Sequence, residues 1–362
     1  MSTFGEQLKV SLWGESHGPS VGITIHQMPA NVSLDLYAIQ AALKQRNPEY
    51  PWQKARHEDD ELHVASGLFE GKTTGAPLTL YVLNQAHDSK SYAPNEVRPG
   101  HADYPAYIKT QGAFDYRGGG HYSGRLTAPL IILGDIARQL LSHNRVRVFS
   151  QVKQIHHLKT TGFDLNNLND ELFESLQQSD FPVQNKDHEL AFKAHIEDIY
   201  QEGDSVGGVI ETAIELSEVG VGEPFFDSVE SLLSHLMFAI PGVKGILFGS
   251  GLALAQTKGS EQTDTPLYKD GSVTYETHHN GGVIGGLTQG TPIHFETVIK
   301  ASASIKKLLP SINLRQKTNT ISKLKGSYDP CIVPRALWVV NALSYYAVLE
   351  LLMRKEGFHW LT

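Results

Sequence analysis

Residues 98–127 read RPGHADYPAYIKTQGAFDYRGGGHYSGRLT, a stretch that sets Arg98, His101, Arg117, His121 and Arg125 around three consecutive glycines. Glycines at 118, 119 and 120 free the backbone for positive φ and let a bound group approach it closely. Arginine forks onto carboxylates and phosphates, and a glycine-rich loop that opens a helix turns unpaired N–H groups toward an anion. The pattern describes either a phosphate or carboxylate site or a tight connection, and these residues alone leave both open. Neither GxxxxGK[ST] nor GxGxxG after a strand occurs, so neither a P-loop nor a dinucleotide fold is supported. A second loop, GESHG at 14–18, carries His17. Histidine has an unperturbed pKa of about 6.5, so this residue type suits proton transfer as well as the satisfaction of turn backbone groups.

These loops need elements to hold them. Leu8, Val10 and Leu12 alternate with polar residues, 14–19 turn the chain, and Val21, Ile23 and Ile25 alternate again, which predicts a hairpin with GESHG at its tip. Ser33 can cap a helix with Leu36, Ile39 and Leu43 on one face, ending before Pro48. Leu62 and Val64, then Leu78, Leu80 and Val82, predict strands on either side of a turn at 71–75. After the glycines, Ser123 or Thr127 can cap a helix with Pro129 in its first turn and an apolar face of Leu130, Leu133, Ala137 and Leu140. Residues 163–201 are rich in Asp, Glu, Asn and Gln and predict an external helical insertion, with helices at 169–177 and 188–200. Strand-like content follows at 206–214 and helical content at 226–239. The polar, glycine-punctuated stretch 258–277 is expected to be either a disordered loop or a lid, and the glycines that follow favour the lid. A strand at 293–299 precedes Lys300, and a last helix at 335–354 carries Leu337, Val340, Leu343, Ala347 and Leu351 as a core or subunit-facing stripe. No fixed repeat and no low-complexity linker appears, so one domain, 1–362, is expected.

A chain of 362 residues with 40% hydrophobic content can build a sizeable core. Its formal net charge of -8 disfavours nonspecific binding to nucleic acid or anionic membrane, so any anion site must be focal. Cys331 alone forms neither an internal disulfide nor a cysteine-based zinc site. His156-His157 and His278-His279 lack a partnered ligand pattern, and no metal is expected. The N-terminus lacks the regions of a signal peptide, and the apolar stretches at 130–133 and 337–352 are too short or too interrupted for a membrane span, so a cytoplasmic location is expected.

Taken together, RPGHAD at 98–103, DYRGGG at 115–120 and GESHG at 14–18 resemble the chorismate synthase family. The resemblance continues in order through SGLFEGKTTGAPL at 66–78, EGDSVGG at 202–208, VGEPFFD at 221–227, VKG at 243–245, NGGVIGGLTQG at 280–290 and DPCIVPRA at 329–336. It implies an α+β fold, a β-α-β sandwich with central antiparallel sheets and covering helices. It also implies a homotetramer, for which Trp338, Tyr345 and Tyr346 are expected to offer apolar area. The implied activity is the 1,4-elimination of phosphate from 5-enolpyruvylshikimate 3-phosphate with reduced FMN as cofactor. By motif position, His17 and His101 would transfer protons, Asp329 would assist proton removal, and Arg46, Arg98 and Arg125 would hold the substrate. His121, Tyr122, Ser123, Pro241, Gly242, Gly290, Lys300, Ala301, Ser302, Ala303, Ser304 and Ser327 would meet the cofactor. The chain departs from the family pattern at Gln45 and Asn47, where arginines are expected. It departs again at His121, Tyr122 and Leu126 after the glycines, and at Ser327 and Tyr328 before Asp329. A paralogue that binds flavin or a related anionic metabolite, with the elimination lost or altered, is the competing expectation.

Overall fold

The computed structural model describes residues 2–52, 59–322 and 328–356. The chain divides into two compact units, each woven from three separate segments. The first comprises Met1–Leu133, Lys193–Gly207 and Ala301–Arg335; the second comprises Gly134–Phe192, Gly208–Lys300 and Ala336–Thr362.

The first unit is built on a five-stranded antiparallel sheet in the order Thr3–Phe4, Val10–Gly14, Ser20–Ile25, Leu78–Leu83, Leu62–Ser66. Val10 pairs with Ile25 and Gly14 with Val21, so the expected hairpin forms and GESHG lies at its tip. Val21, Ile23, Ile25, Leu78, Leu80 and Val82 are buried, which pins the register: a slip by one residue would turn these apolar side chains to the opposite face. Helix α1, Leu36–Gln45, starts two residues later than the sequence suggests. Its cap is Asp35, whose carboxylate accepts from the N–H groups of Tyr37 and Ala38, and Ser33 is not the cap. Helix α2, Asp103–Lys109, and the start of helix α3, Ala128–Leu140, flank the glycine loop. Pro129 occupies the first turn of α3, and Ser123 caps the short turn Gly124–Thr127 that leads into it.

The second unit holds another five-stranded antiparallel sheet, ordered Val243–Phe248, Ile293–Ile299, Gly208–Glu215, Arg147–Ile155, Leu158–Lys159. Helix α4, Asp170–Gln178, and helix α5, Lys186–Gln201, whose residues from Lys193 on belong to the first unit, match the two expected in the insertion. Leu176 packs with Phe149 and Ala213 on the sheet, and Phe181 meets Phe192. Helix α6 runs Val229–Phe238 from a Ser228 cap. The stretch at 258–277 is ordered: Pro266–Lys269 and Ser272–Tyr275 pair as a hairpin. Buried Asp264 anchors it by accepting from Thr277 Oγ1 and from the N–H groups of His279 and Asn280.

Helix α7, Val333–Glu356, shows the expected stripe, but burial extends round the whole helix. Asn341 Nδ2 donates to Val148 O at 3.1 Å and Tyr345 Oη accepts from Val148 N at 3.3 Å, which ties the helix to the strand Arg147–Ile155. By length and composition α7 could cross a membrane, yet its most apolar window is entirely buried inside the chain. Trp338, Tyr345 and Tyr346 are buried too, so they offer no apolar area to a neighbouring subunit, contrary to the expectation from sequence.

Candidate active site

The two chemical loops of the first unit close on one another. Ser16 N donates to Gly120 O at 3.1 Å, and the three glycines take φ values of 58°, 85° and 55°. At Gly118 a Cβ would lie 2.5 Å from both Nε2 and Cδ2 of His17 and 2.8 Å from Ser16 Oγ, so the absent side chain is what admits the imidazole. His17 is buried, with Nδ1 2.9 Å from Ser89 Oγ and its ring edge-on to Tyr92 at 5.2 Å. Asp115 bears a charge beside this histidine. Hydrogen bonds from Arg117 hold its carboxyl below the ordinary range against a smaller opposing effect of burial, and His17 adds to the lowering.

Beneath the hairpin tip lies a buried network of guanidinium groups. Arg125 pairs through Nη1 with Asp60, donates from Nε to Asn84 Oδ1 at 2.9 Å and from Nη2 to Leu83 O at 3.0 Å. Asn84 Nδ2 in turn donates to Glu15 O and Gly18 O, so Asn84 links the arginine to the His17 loop. Arg46 reaches Thr127 Oγ1 at 3.0 Å, Asp60 Oδ2 at 3.4 Å and Gly124 O at 3.3 Å. Asn47, where an arginine was expected, donates to Asp60 and accepts from both Arg46 and Arg335. Burial lowers the Arg46 pKa to about 9; repulsion from Arg335 and Arg125 adds to this, and Asp60 opposes it. Arg335 pairs with Asp329 at 3.5 Å. Burial nonetheless raises the Asp329 carboxyl, with Arg335 and the Cys331 N–H pulling the other way. Among the described residues Arg46, Arg125 and Arg335 thus gather around Asp60 and Asp329, and the Arg335 and Arg125 charges act on Arg46 in the direction that a nearby anion would oppose.

His101 and Arg98 face a separate cleft of the same unit, lined also by Tyr92, Phe114, Tyr116 and Ser304. It encloses about 900 Å³ counting its open mouth. His101 Nε2 lies 2.9 Å from Ser304 Oγ. Arg98 is forked onto Asp103 at 2.8 and 2.7 Å and sits 5.2 Å from the Tyr92 ring centre. Ala303 lines this cleft with Ser304; the Ser302 carbonyl accepts from Ser205 Oγ at 2.6 Å, and Ala301 is exposed.

In the second unit, Lys300 N donates to Gly242 O at 2.9 Å, which brings Lys300 beside Pro241-Gly242. Gly290 has φ +84°, and a Cβ there would press within 2.8 Å of Val219.

The departures from the family pattern have structural occupations. His121 donates from Nδ1 to Gly14 O at 2.8 Å, and its Nε2 lies 2.6 Å from Ser2 Oγ. Leu126 is buried and Tyr122 exposed. Tyr328 stacks on Tyr200 with ring centres 5.6 Å apart, donates to Tyr200 O at 3.0 Å, and has Lys306 Nζ 5.5 Å from its ring centre. Ser327 lies outside the described residues. Sequence reasoning missed Asp60, Asn84 and Ser89. Asp60 stands in the acidic run EDDE at 58–61, which reads as solvated surface, and no local signal marks the other two.

The fold is α+β, with Arg46 and Arg125 buried and Arg125 linked through Asn84 to the loop that carries His17. The chain belongs to the chorismate synthase family, whose sequence profile matches residues 8–353. It is 37% identical to the chorismate synthase of Korarchaeum cryptofilum over 97% of each chain. It is 36% identical to that of Thermococcus kodakarensis over 98% of each, and 34% identical to that of Dehalococcoides mccartyi over 98% of this chain and 97% of the relative. A crystal structure of chorismate synthase superposes with a TM-score of 0.76 at 22% identity, covering 98% of this chain and 94% of the other, which establishes the fold.

The residues present fit a flavin nucleotide. The cleft at His101 offers aromatic walls for a flat ring, with serine hydroxyl and guanidinium donors beside them.

Proposed function

We propose that this chain is a lyase that carries out the chorismate synthase reaction, the 1,4-elimination of phosphate and a proton from 5-enolpyruvylshikimate 3-phosphate. The observation that carries the reading is the gathering of two buried guanidinium groups, Arg46 and Arg125, with the part-buried Arg335 next to the His17 loop, an arrangement suited to a dianionic substrate. Reduced FMN, when bound, supplies electron density that eases cleavage of the C–O bond. His17 and His101 hold the protons that neutralise charge as phosphate leaves, each oriented by a serine hydroxyl. Burial raises the Asp329 carboxyl above the ordinary aspartate range, a shift in the direction that suits a group exchanging a proton. Arg46, Arg98 and Arg125 position the substrate; Ser123 and Ser304, in the first unit, would contact the cofactor. Family likeness supports a cytoplasmic homotetramer acting in aromatic amino acid biosynthesis.

Anaerobic incubation with the substrate and reduced FMN should release phosphate and form chorismate. His17→Ala or His101→Ala should lower turnover by about 10²-fold or more with the fold intact. Loss of thermal stability with normal turnover in the folded fraction would assign the histidines to packing instead. A second reading rests on His121, Tyr122, Leu126 and Tyr328, which remove charge that the family pattern supplies. On that reading the chain binds flavin or a related anion without elimination, and the same incubation yields neither product.

A further inference from the structure

Residues 301–308 form neither helix nor strand, yet they supply Ser304 to His101 and line the cleft through Ala303, Ser304, Ile305 and Lys307. Other segments of the first unit hold this strap. Ser205 Oγ donates to Ser302 O at 2.6 Å, Lys306 N donates to Gly203 O at 2.9 Å, and Lys307 Nζ pairs with Asp204 at 2.6 Å. The Lys306 side chain has a further hold. Its Nζ lies 4.7 Å from the ring centre of Tyr200 and 5.5 Å from that of Tyr328, and the two rings stack 5.6 Å apart with an angle of 24° between their planes. A cation within about 6 Å of an aromatic ring centre is attracted to the ring face, and here one ammonium is shared by two rings. Tyr328 Oη donates to Tyr200 O at 3.0 Å, and Val206 N donates to Pro330 O at 2.8 Å, so the ring pair is itself fixed. Ser304 therefore sits on a strap anchored on both sides of it, at 302 and at 306–307, and these anchors place the hydroxyl that meets His101 Nε2 at 2.9 Å.

We propose that Lys306, held by the stacked rings of Tyr200 and Tyr328, is a positioning residue that fixes Ser304 against His101. The effect on turnover rests on the reading of His101 as a proton carrier; the effect on the surroundings of His101 does not.

The test follows the His101 imidazole resonances of the full chain, assigned by their loss in His101→Gln, together with steady-state kinetics. It compares wild type with Lys306→Gln, Lys306→Arg, Ser304→Ala and the double variant Lys306→Gln/Ser304→Ala. Lys306 is exposed, so its replacement leaves the packed core untouched. Lys306→Gln should displace the His101 resonances in the same direction as Ser304→Ala and lower kcat about two- to fivefold, the worth of a partly exposed cation–π contact. Lys306→Arg, which keeps a cation for the two rings, should restore both. In the double variant the change at 306 should add nothing to Ser304→Ala, because effects that pass through one contact do not sum. Tyr328→Leu should reproduce Lys306→Gln. His101 resonances unmoved by Lys306→Gln, losses that add in the double variant, an arginine variant no better than glutamine, or a Tyr328→Leu chain with the wild-type His101 signal would each overturn the proposal. An inactive wild type whose His101 resonances still respond to Lys306→Gln and recover in Lys306→Arg would sink the functional reading and leave the positioning role of Lys306 standing.

Discussion

Asp60→Asn is the most informative single change to the cationic cluster, because it keeps the shape of the side chain and deletes one charge. Asp60 is buried between Arg46 and Arg125 and also accepts from Asn47 Nδ2 at 3.0 Å. Losing one partner of a buried pair costs about 3–5 kcal/mol, mostly because the remaining charge is stranded. Here two guanidinium groups are stranded together, and Arg46 is already destabilised by burial and by Arg335. The unfolding free energy from urea titration should therefore fall by about 3–5 kcal/mol at low ionic strength. Inorganic phosphate should restore part of the loss. A ligand that binds only the folded chain adds about 2.7 kcal/mol at a hundredfold excess over Kd, and the variant has more uncompensated positive charge for the anion to meet. An Asp60→Asn variant as stable as wild type, or equal stabilisation of both proteins by phosphate, would refute this charge balance.

Gly118→Ala places a methyl group on His17 at a backbone φ of 58°, so it should cost about 1–3 kcal/mol and lower turnover beyond the loss explained by unfolded protein. Melting curves and activity per folded molecule separate the two effects. Asp329 has its carboxyl pKa raised, chiefly by burial, so the folded chain binds that proton more tightly than the unfolded chain does. Its contribution to stability is present below the ordinary aspartate pKa of about 3.9 and is lost as pH rises through the raised value. Asp329→Asn should flatten stability against pH in that window and reduce turnover; a pH–stability curve parallel to wild type would contradict the burial argument.

The hairpin bearing GESHG and most strands and helices of both sheets were legible because alternation and helical periodicity are local properties of the chain. Helix α1 began later than expected because Asp35 competed with Ser33 for the cap and donors lay within reach of Asp35. The motif residues identified the loops, but not how charge is balanced beneath them. Asp60 meets Arg125 across 65 residues and Asn84 meets Arg125 across 41, distances over which sequence spacing carries no geometric signal. The same holds for Glu211, buried in the second sheet and bonded to His294 and Gln151. Trp338, Tyr345 and Tyr346 were read as surface because a helix with one apolar stripe is expected to show its other face to water, and α7 is buried on every side.

The most direct measurement follows chorismate formation, phosphate release and flavin oxidation state together, without oxygen, with substrate in large excess over reduced FMN. The account predicts equal amounts of chorismate and phosphate, many turnovers per flavin, and a flavin that stays reduced, since the elimination has no net redox change. Tight binding of flavin and substrate with neither product formed would contradict it and leave the chain as an anion-binding relative of the family.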